Sequence, residues 1–100
     1  MVPSLSRDMP VVYMLRLRSG ALYVGCSNDL ETRFREHELG AACRTTRVDP
    51  PDALIFVEVA GDFRMARRRE AQIKRWSRGK KLALANSDYI ALRRLSRARH

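Results

Sequence analysis

The chain has only two cysteines and one tryptophan. No apolar run approaches the roughly 18–20 residues that a membrane-spanning helix needs. Cys26 and Cys43 stand apart, with no CxxC pair and no histidine at zinc-finger spacing. That argues against a disulfide scaffold and a structural zinc site, and for two reduced thiols. No cationic segment followed by an apolar stretch marks a secretory signal, so a cytoplasmic protein is expected, with association to the nucleoid in view. A length of 100 residues suits one domain. Acids are scarce at one end: residues 1–63 hold 7 Lys and Arg against 9 Asp and Glu, whereas residues 64–100 hold 13 against 2. Lysine is scarce too, since 17 of the 20 cations are arginine, the forked reader of phosphate. The net charge of +9 therefore describes a near-neutral body with a polycationic last third. A polyanion fits that imbalance: nucleic acid first, DNA with RNA also open, ahead of a membrane surface, which is not expected as a partner. The plain alternative is charge kept for solubility.

The chain opens with an aperiodic leader, residues 1–9. Val11 to Leu17 reads as a strand, with Val11, Tyr13, Leu15 and Leu17 facing one way and Val12, Met14 and Arg16 the other, followed by a second strand over Ala21–Cys26. A two-residue loop at Ser19-Gly20 would put Tyr13 and Tyr23 on opposite faces. A three-residue loop, Arg18-Ser19-Gly20, with Gly20 left-handed beside a bulge, sets Tyr13 across from Gly25 and Leu15 across from Tyr23. The second register is the one expected, and it puts both tyrosines on one face.

Asn28 and Glu31 resemble a capping box that starts a helix running to about Leu39, where Gly40 stops it. Its stripe is Leu30, Phe34 and His37, with Arg33 one turn before His37. Residues 40–52 read as a loop and Ala53–Val59 as a third strand. Asp62 caps a long helix from Phe63 to about Arg78. Gly79 interrupts it, Lys80–Ala85 forms a short helix, and Ser87 caps a basic helix from Asp88 to about Arg97. The order β-β-α-β-α-α plus a terminal helix implies an α+β fold: a small three-stranded mixed or antiparallel sheet flanked by helices. A domain over 10–86 and a basic C-terminal helix over 87–100 are expected. That last helix, with Tyr89, Leu92 and Ser96 on one side, could dock on this domain, on a protein partner or on a second copy.

Glu70 is the only acid between Phe63 and Ser87, and it falls inside the apolar arc of its helix, between Phe63 and Ile73. A buried carboxylate requires a cation. Two readings follow: an ion pair with an arginine such as Arg33, or a divalent-metal ligand or catalytic carboxylate. His37 could likewise be a satisfied core histidine, and Tyr13 and Tyr23 ordinary strand aromatics. Together, two tyrosines, Arg33, His37 and Glu70 could converge on one sheet face, as groups of a site do.

Val12–Leu15 (VYML), Leu22–Gly25 (LYVG), Asp29–His37 (DLETRFREH) and Glu70–Trp76 (EAQIKRW) resemble, in order and spacing, the GIY-YIG nuclease superfamily, and in particular its small single-domain bacterial branch. The resemblance spans about Val11–Leu84. It implies that Tyr13 and Tyr23 are the tyrosines of the two triads, Gly25 the close-packing glycine and Arg33 the phosphate clamp. His37 matches a histidine found in many members, and Glu70 looks like the metal-binding glutamate. Asn86 matches loosely an asparagine of some members. Val11-Val12-Tyr13 replaces Gly-Ile-Tyr, and Cys26 stands where a small polar residue is common. The implied activity is phosphodiester hydrolysis with one Mg²⁺ or Mn²⁺. Arg67, Arg68, Lys74, Arg75, Lys80 and Lys81 would track the backbone of the nucleic acid, with Arg44 and Arg47 nearer the cleavage point. The rival expectation is a nucleic-acid-binding or adaptor module that keeps the fold without the chemistry.

Overall fold

The computed structural model describes residues 9–97. Apart from Met9, the expected leader lies outside the described residues. Strand β1 (Val11–Leu17) occupies the centre of an antiparallel sheet of order β2-β1-β3, between β2 (Leu22–Ser27) and β3 (Pro51–Val59). β1 is apolar at every position but the exposed Arg16, and both of its faces are buried. Val11, Tyr13, Leu15 and Leu17 pack with Leu30 and Phe34 of helix α1 (Leu30–Glu38). Val12 and Met14 pack with Ala66 and Ile73 of α3 (Phe63–Lys74) and Leu84 of α4 (Arg78–Ala85). The sheet is thus covered by helices on both sides, the α+β arrangement expected.

The three-residue register is the one formed. Tyr13 faces Gly25 and Leu15 faces Tyr23. Gly20 takes φ +95°, and the Leu17 amide donates to the Ala21 carbonyl at 2.8 Å. Other boundaries differ, each for a local reason. Asp29, not Asn28, caps α1, its carboxylate accepting from the Thr32 amide. β3 starts at Pro51, because an edge strand tolerates proline as its first residue. The segment expected to be a loop contains a short helix, α2 (Arg44–Val48). α3 ends at Lys74, and Ser77 caps α4 by accepting from the Lys80 amide, so Gly79 lies inside α4 rather than between helices.

Gly40 ends α1 as expected, at φ +74°. Ser87 does the same for α4 at φ +56°: its amide donates to Leu84 and that of Asp88 to Ala83. Asp88 then caps the last helix, α5 (Tyr89–Arg97), by accepting from the Ala91 amide. α5 docks on this domain through Leu92, which reaches the core, and Leu95, which lies over Gly79. Tyr89 and Ile90 stay exposed. No helix among the described residues is long and apolar enough to cross a membrane.

Candidate active site

The expected residues meet around the edge strand β2. Tyr13, delivered by β1, lies across Gly25, where a Cβ would come within 2.6 Å of the phenol carbon Cζ. Only glycine admits the ring there. The Tyr13 hydroxyl lies 2.7 Å from His37 Nε2, in the buried layer beneath α1. His37 also stacks edge-on against Tyr23, with ring centroids 5.0 Å apart. Its other nitrogen, Nδ1, is 2.8 Å from the hydroxyl of Thr46 on α2. From Thr46 the contacts continue to Cys43 Sγ at 3.4 Å, and from Cys43 to the Tyr23 hydroxyl at 3.7 Å. Neither Thr46 nor Cys43 is expected at the site from sequence. A five-residue helix has too few turns to show a period, and no spacing ties position 46 to position 37.

Glu70 does not share the face of the tyrosines. It rises from α3, on the opposite side of the sheet, and meets β2 at Cys26, whose thiol donates to Oε1 at 3.0 Å. Its other oxygen pairs with Lys74 Nζ at 2.8 Å. This corrects both the single-face expectation and the ion pair with Arg33. Arg33 lies half-exposed on α1, with Glu36 at 3.6 Å. Cys26 follows Gly25 directly, so the carboxylate and the phenols approach one another across the β2 edge. Its charge reaches both phenols there.

The electrostatics follow from burial. Removal from water, then the neighbouring Tyr23, push the Tyr13 phenol well above its ordinary value, with Arg33 opposing. Burial, then the contact with Cys43, push Tyr23 up to about 12. Burial, then the positive charge of Arg33, lower His37 to about 4. At neutral pH both phenols hold their protons and the imidazole is uncharged. Burial and Glu70 push the Cys26 thiol up to about 12, so it remains a donor to the carboxylate.

No group of three His, Cys, Asp or Glu among the described residues could cage a metal ion. A lone carboxylate with one-fifth of its side chain exposed fits instead a hard cation that keeps most of its waters. Lys74, half-exposed on a flexible stem, can swing aside from it. Arg44 and Arg47 are exposed on α2, next to Thr46, Arg67 and Arg68 are exposed on α3, and Arg75 is exposed at its C-cap. Arg67 lies near enough to Cys26 to lower its pKa. Lys80 sits over the Trp76 ring, 4.0 Å from its centre, with Arg69 at 5.2 Å from the same ring, and Lys81 is half-buried. Asn86 is the exposed C-cap of α4 and makes no hydrogen bond to the site among the described residues.

The GIY-YIG catalytic domain family matches residues 9–83, which contain every group of this cluster. The chain belongs to the GIY-YIG family. It is similar to the UPF0213 protein of Xanthomonas axonopodis pv. citri, 40% identical over 72 residues, which cover 72% of this chain and 71% of that one. A UPF0213 protein of Clostridium perfringens is 37% identical over 82 residues, covering 82% and 88% of the two chains. One of Staphylococcus saprophyticus is 34% identical over 77 residues, covering 77% and 94%. No solved structure matches. Membership of the GIY-YIG family points to an endonuclease with a nucleic-acid substrate.

Proposed function

We propose that the protein is a divalent-metal-dependent endonuclease that hydrolyses phosphodiester bonds in DNA. It would select the structure rather than the sequence of its substrate, as in repair or recombination intermediates. The observation that carries this reading is the 2.7 Å contact between the Tyr13 hydroxyl and His37 Nε2 beside Gly25. A phenol raised this far is no phenolate at neutral pH, which favours a relay over direct base catalysis. Tyr13 takes a proton from the attacking water as its own proton passes to His37 Nε2. His37, weakly basic at rest, gains basicity when an anionic phosphate comes near, because negative charge favours the imidazolium.

Arg33 is half-exposed and loosely held by Glu36, free to clamp the phosphoryl oxygens through its fork. Tyr23 orients water and phosphate. Glu70 would hold one Mg²⁺ or Mn²⁺, which when bound polarises the phosphate and stabilises the leaving oxygen. Arg44, Arg47, Arg67, Arg68 and Arg75 would bind the backbone, with Lys74, Lys80 and Lys81 in support. No contact of Asn86 supports a part for it. Such a substrate assigns the protein to the cytoplasm and its nucleoid.

The test is cleavage of nicked, flapped and branched DNA by wild type and Glu70→Ala, with Mg²⁺ or Mn²⁺ and with RNA counterparts alongside. Wild type is expected to cut at least one DNA and the variant none. A wild type inert on every substrate overturns the enzyme reading, and a fully active Glu70→Ala removes the glutamate from it.

One observation favours a second reading, a nucleic-acid-binding module without chemistry. Glu70 is already satisfied by Lys74 and Cys26. Mn²⁺ titration separates the two. The nuclease reading expects a site lost in Glu70→Ala and strengthened in Lys74→Ala, and the binding module expects neither.

A further inference from the structure

Thr46 is fully buried although it belongs to a five-residue helix at the surface. A buried hydroxyl needs partners, and this one has two: His37 Nδ1 at 2.8 Å and Cys43 Sγ at 3.4 Å. A neutral imidazole carries one donor and one acceptor nitrogen. Whatever Nδ1 does toward Thr46 therefore decides what Nε2 does toward Tyr13.

Cys43 decides the direction. As a thiol its proton points to the Tyr23 oxygen, and as a thiolate it has none to give. In both states the sulfur is then left as an acceptor for the Thr46 hydroxyl proton, and the lone pairs of that oxygen can receive a proton from Nδ1. Burial pushes the Cys43 thiol up. The hydroxyl and amide of Thr46, the Tyr23 hydroxyl and the Thr45 amide outweigh it and bring the thiol below its ordinary value, which supports the same direction.

We propose that Thr46 is a positioning residue for the reaction: its hydroxyl, held between His37 and Cys43, keeps His37 protonated on Nδ1 and Nε2 open to the Tyr13 hydroxyl. In the reverse arrangement Nε2 would already carry a proton and could take none from Tyr13, so the relay would be closed. The kinetic consequence rests on the nuclease reading, but the tautomer does not.

The ring nitrogens of His37 report the tautomer directly in nitrogen-15 spectra of the protein without metal or DNA. Wild type and Thr46→Ser are expected to carry the proton on Nδ1. Thr46→Val, of the same shape but lacking the acceptor, should move it to Nε2. A wild-type ring protonated on Nε2, or an unchanged ring in Thr46→Val, overturns the proposal. Should Thr46→Val fail to fold, the wild-type and Thr46→Ser spectra still decide it. With a cleaved DNA, Thr46→Val should lower kcat by roughly tenfold or more at similar KM, the scale known for residues that orient metal-bound histidines, and Thr46→Ser should restore it. An undiminished kcat in Thr46→Val also overturns the proposal. If wild type cuts no DNA, the nuclease reading fails by itself, and the ring spectra alone decide the role of Thr46 in the tautomer.

Discussion

Tyr13 and Gly25 face each other across β1 and β2 so closely that the phenol ring fills the place of a side chain. Gly25→Ala must therefore displace a buried ring with nowhere to go. Overpacking of this kind costs about 1–3 kcal/mol. Urea unfolding should show that loss, and the imidazole resonances of His37 should shift as the Tyr13 hydroxyl is moved. Gly20→Ala is the control. Its φ of +95° penalises alanine, but nothing lies within 4 Å of the added carbon, so stability should fall with His37 unchanged.

The buried, uncharged His37 makes stability depend on pH. Its folded value, lowered to about 4, lies below its ordinary 6.5, so the unfolded chain binds more protons between the two. The contribution is complete above about 6.5 and is lost as pH falls toward 4. Each pH unit in that window costs at most about 1.4 kcal/mol, since one proton is involved. Urea unfolding of wild type and His37→Gln at pH 7 and pH 5 checks this: the variant should lose less over the interval.

The two thiols should differ in reactivity. Cys26 is pushed up to about 12 beside Glu70, whereas Cys43 is lowered by its hydrogen-bond donors, and the thiolate is the nucleophile. A brief pulse of iodoacetamide at neutral pH should label Cys43 first, as read by mass spectrometry of peptides. The added group would sit against Tyr23, so labelled protein should lose cleavage, and excess DNA should slow labelling. Equal labelling of both thiols would count against the assignment.

Arg67 and Arg68 are exposed on α3 and Arg75 at its C-cap, and none of them has an acidic partner among the described residues. Replacing all three by alanine should weaken DNA affinity and flatten its salt dependence. The slope of log affinity against log salt should change by about 0.9 for each phosphate that is no longer neutralised. Lys80 is a poorer choice for this test, because its ammonium group also rests on Trp76. An unchanged slope would place the bound backbone elsewhere.

Local chemistry determined much of this protein in advance. Residues 11–17 specified a strand with Tyr13 on the same side as Val11, Leu15 and Leu17. Arg18-Ser19-Gly20 specified the register that puts Tyr13 over Gly25, because a turn and its left-handed glycine act within a few residues. The order and spacing of the tyrosine, arginine, histidine and glutamate motifs carried the family. Two boundaries differed from that reading by local chemistry: Asp29, not Asn28, caps α1, and Ser77 caps α4, leaving Gly79 inside it.

Tertiary structure alone decided how the site is wired. Glu70 lies on the far side of the sheet and pairs with Lys74 and Cys26 rather than Arg33, since helix periodicity gives an angle about one axis but not the face on which that axis packs. Thr46 joined His37 only when α2 folded against α1, nine residues along the chain from its partner. The sequence by itself determined which groups the protein has to work with. The packing of two helical layers around a three-stranded sheet decided which of them touch, because contact depends on distances that no single element sets.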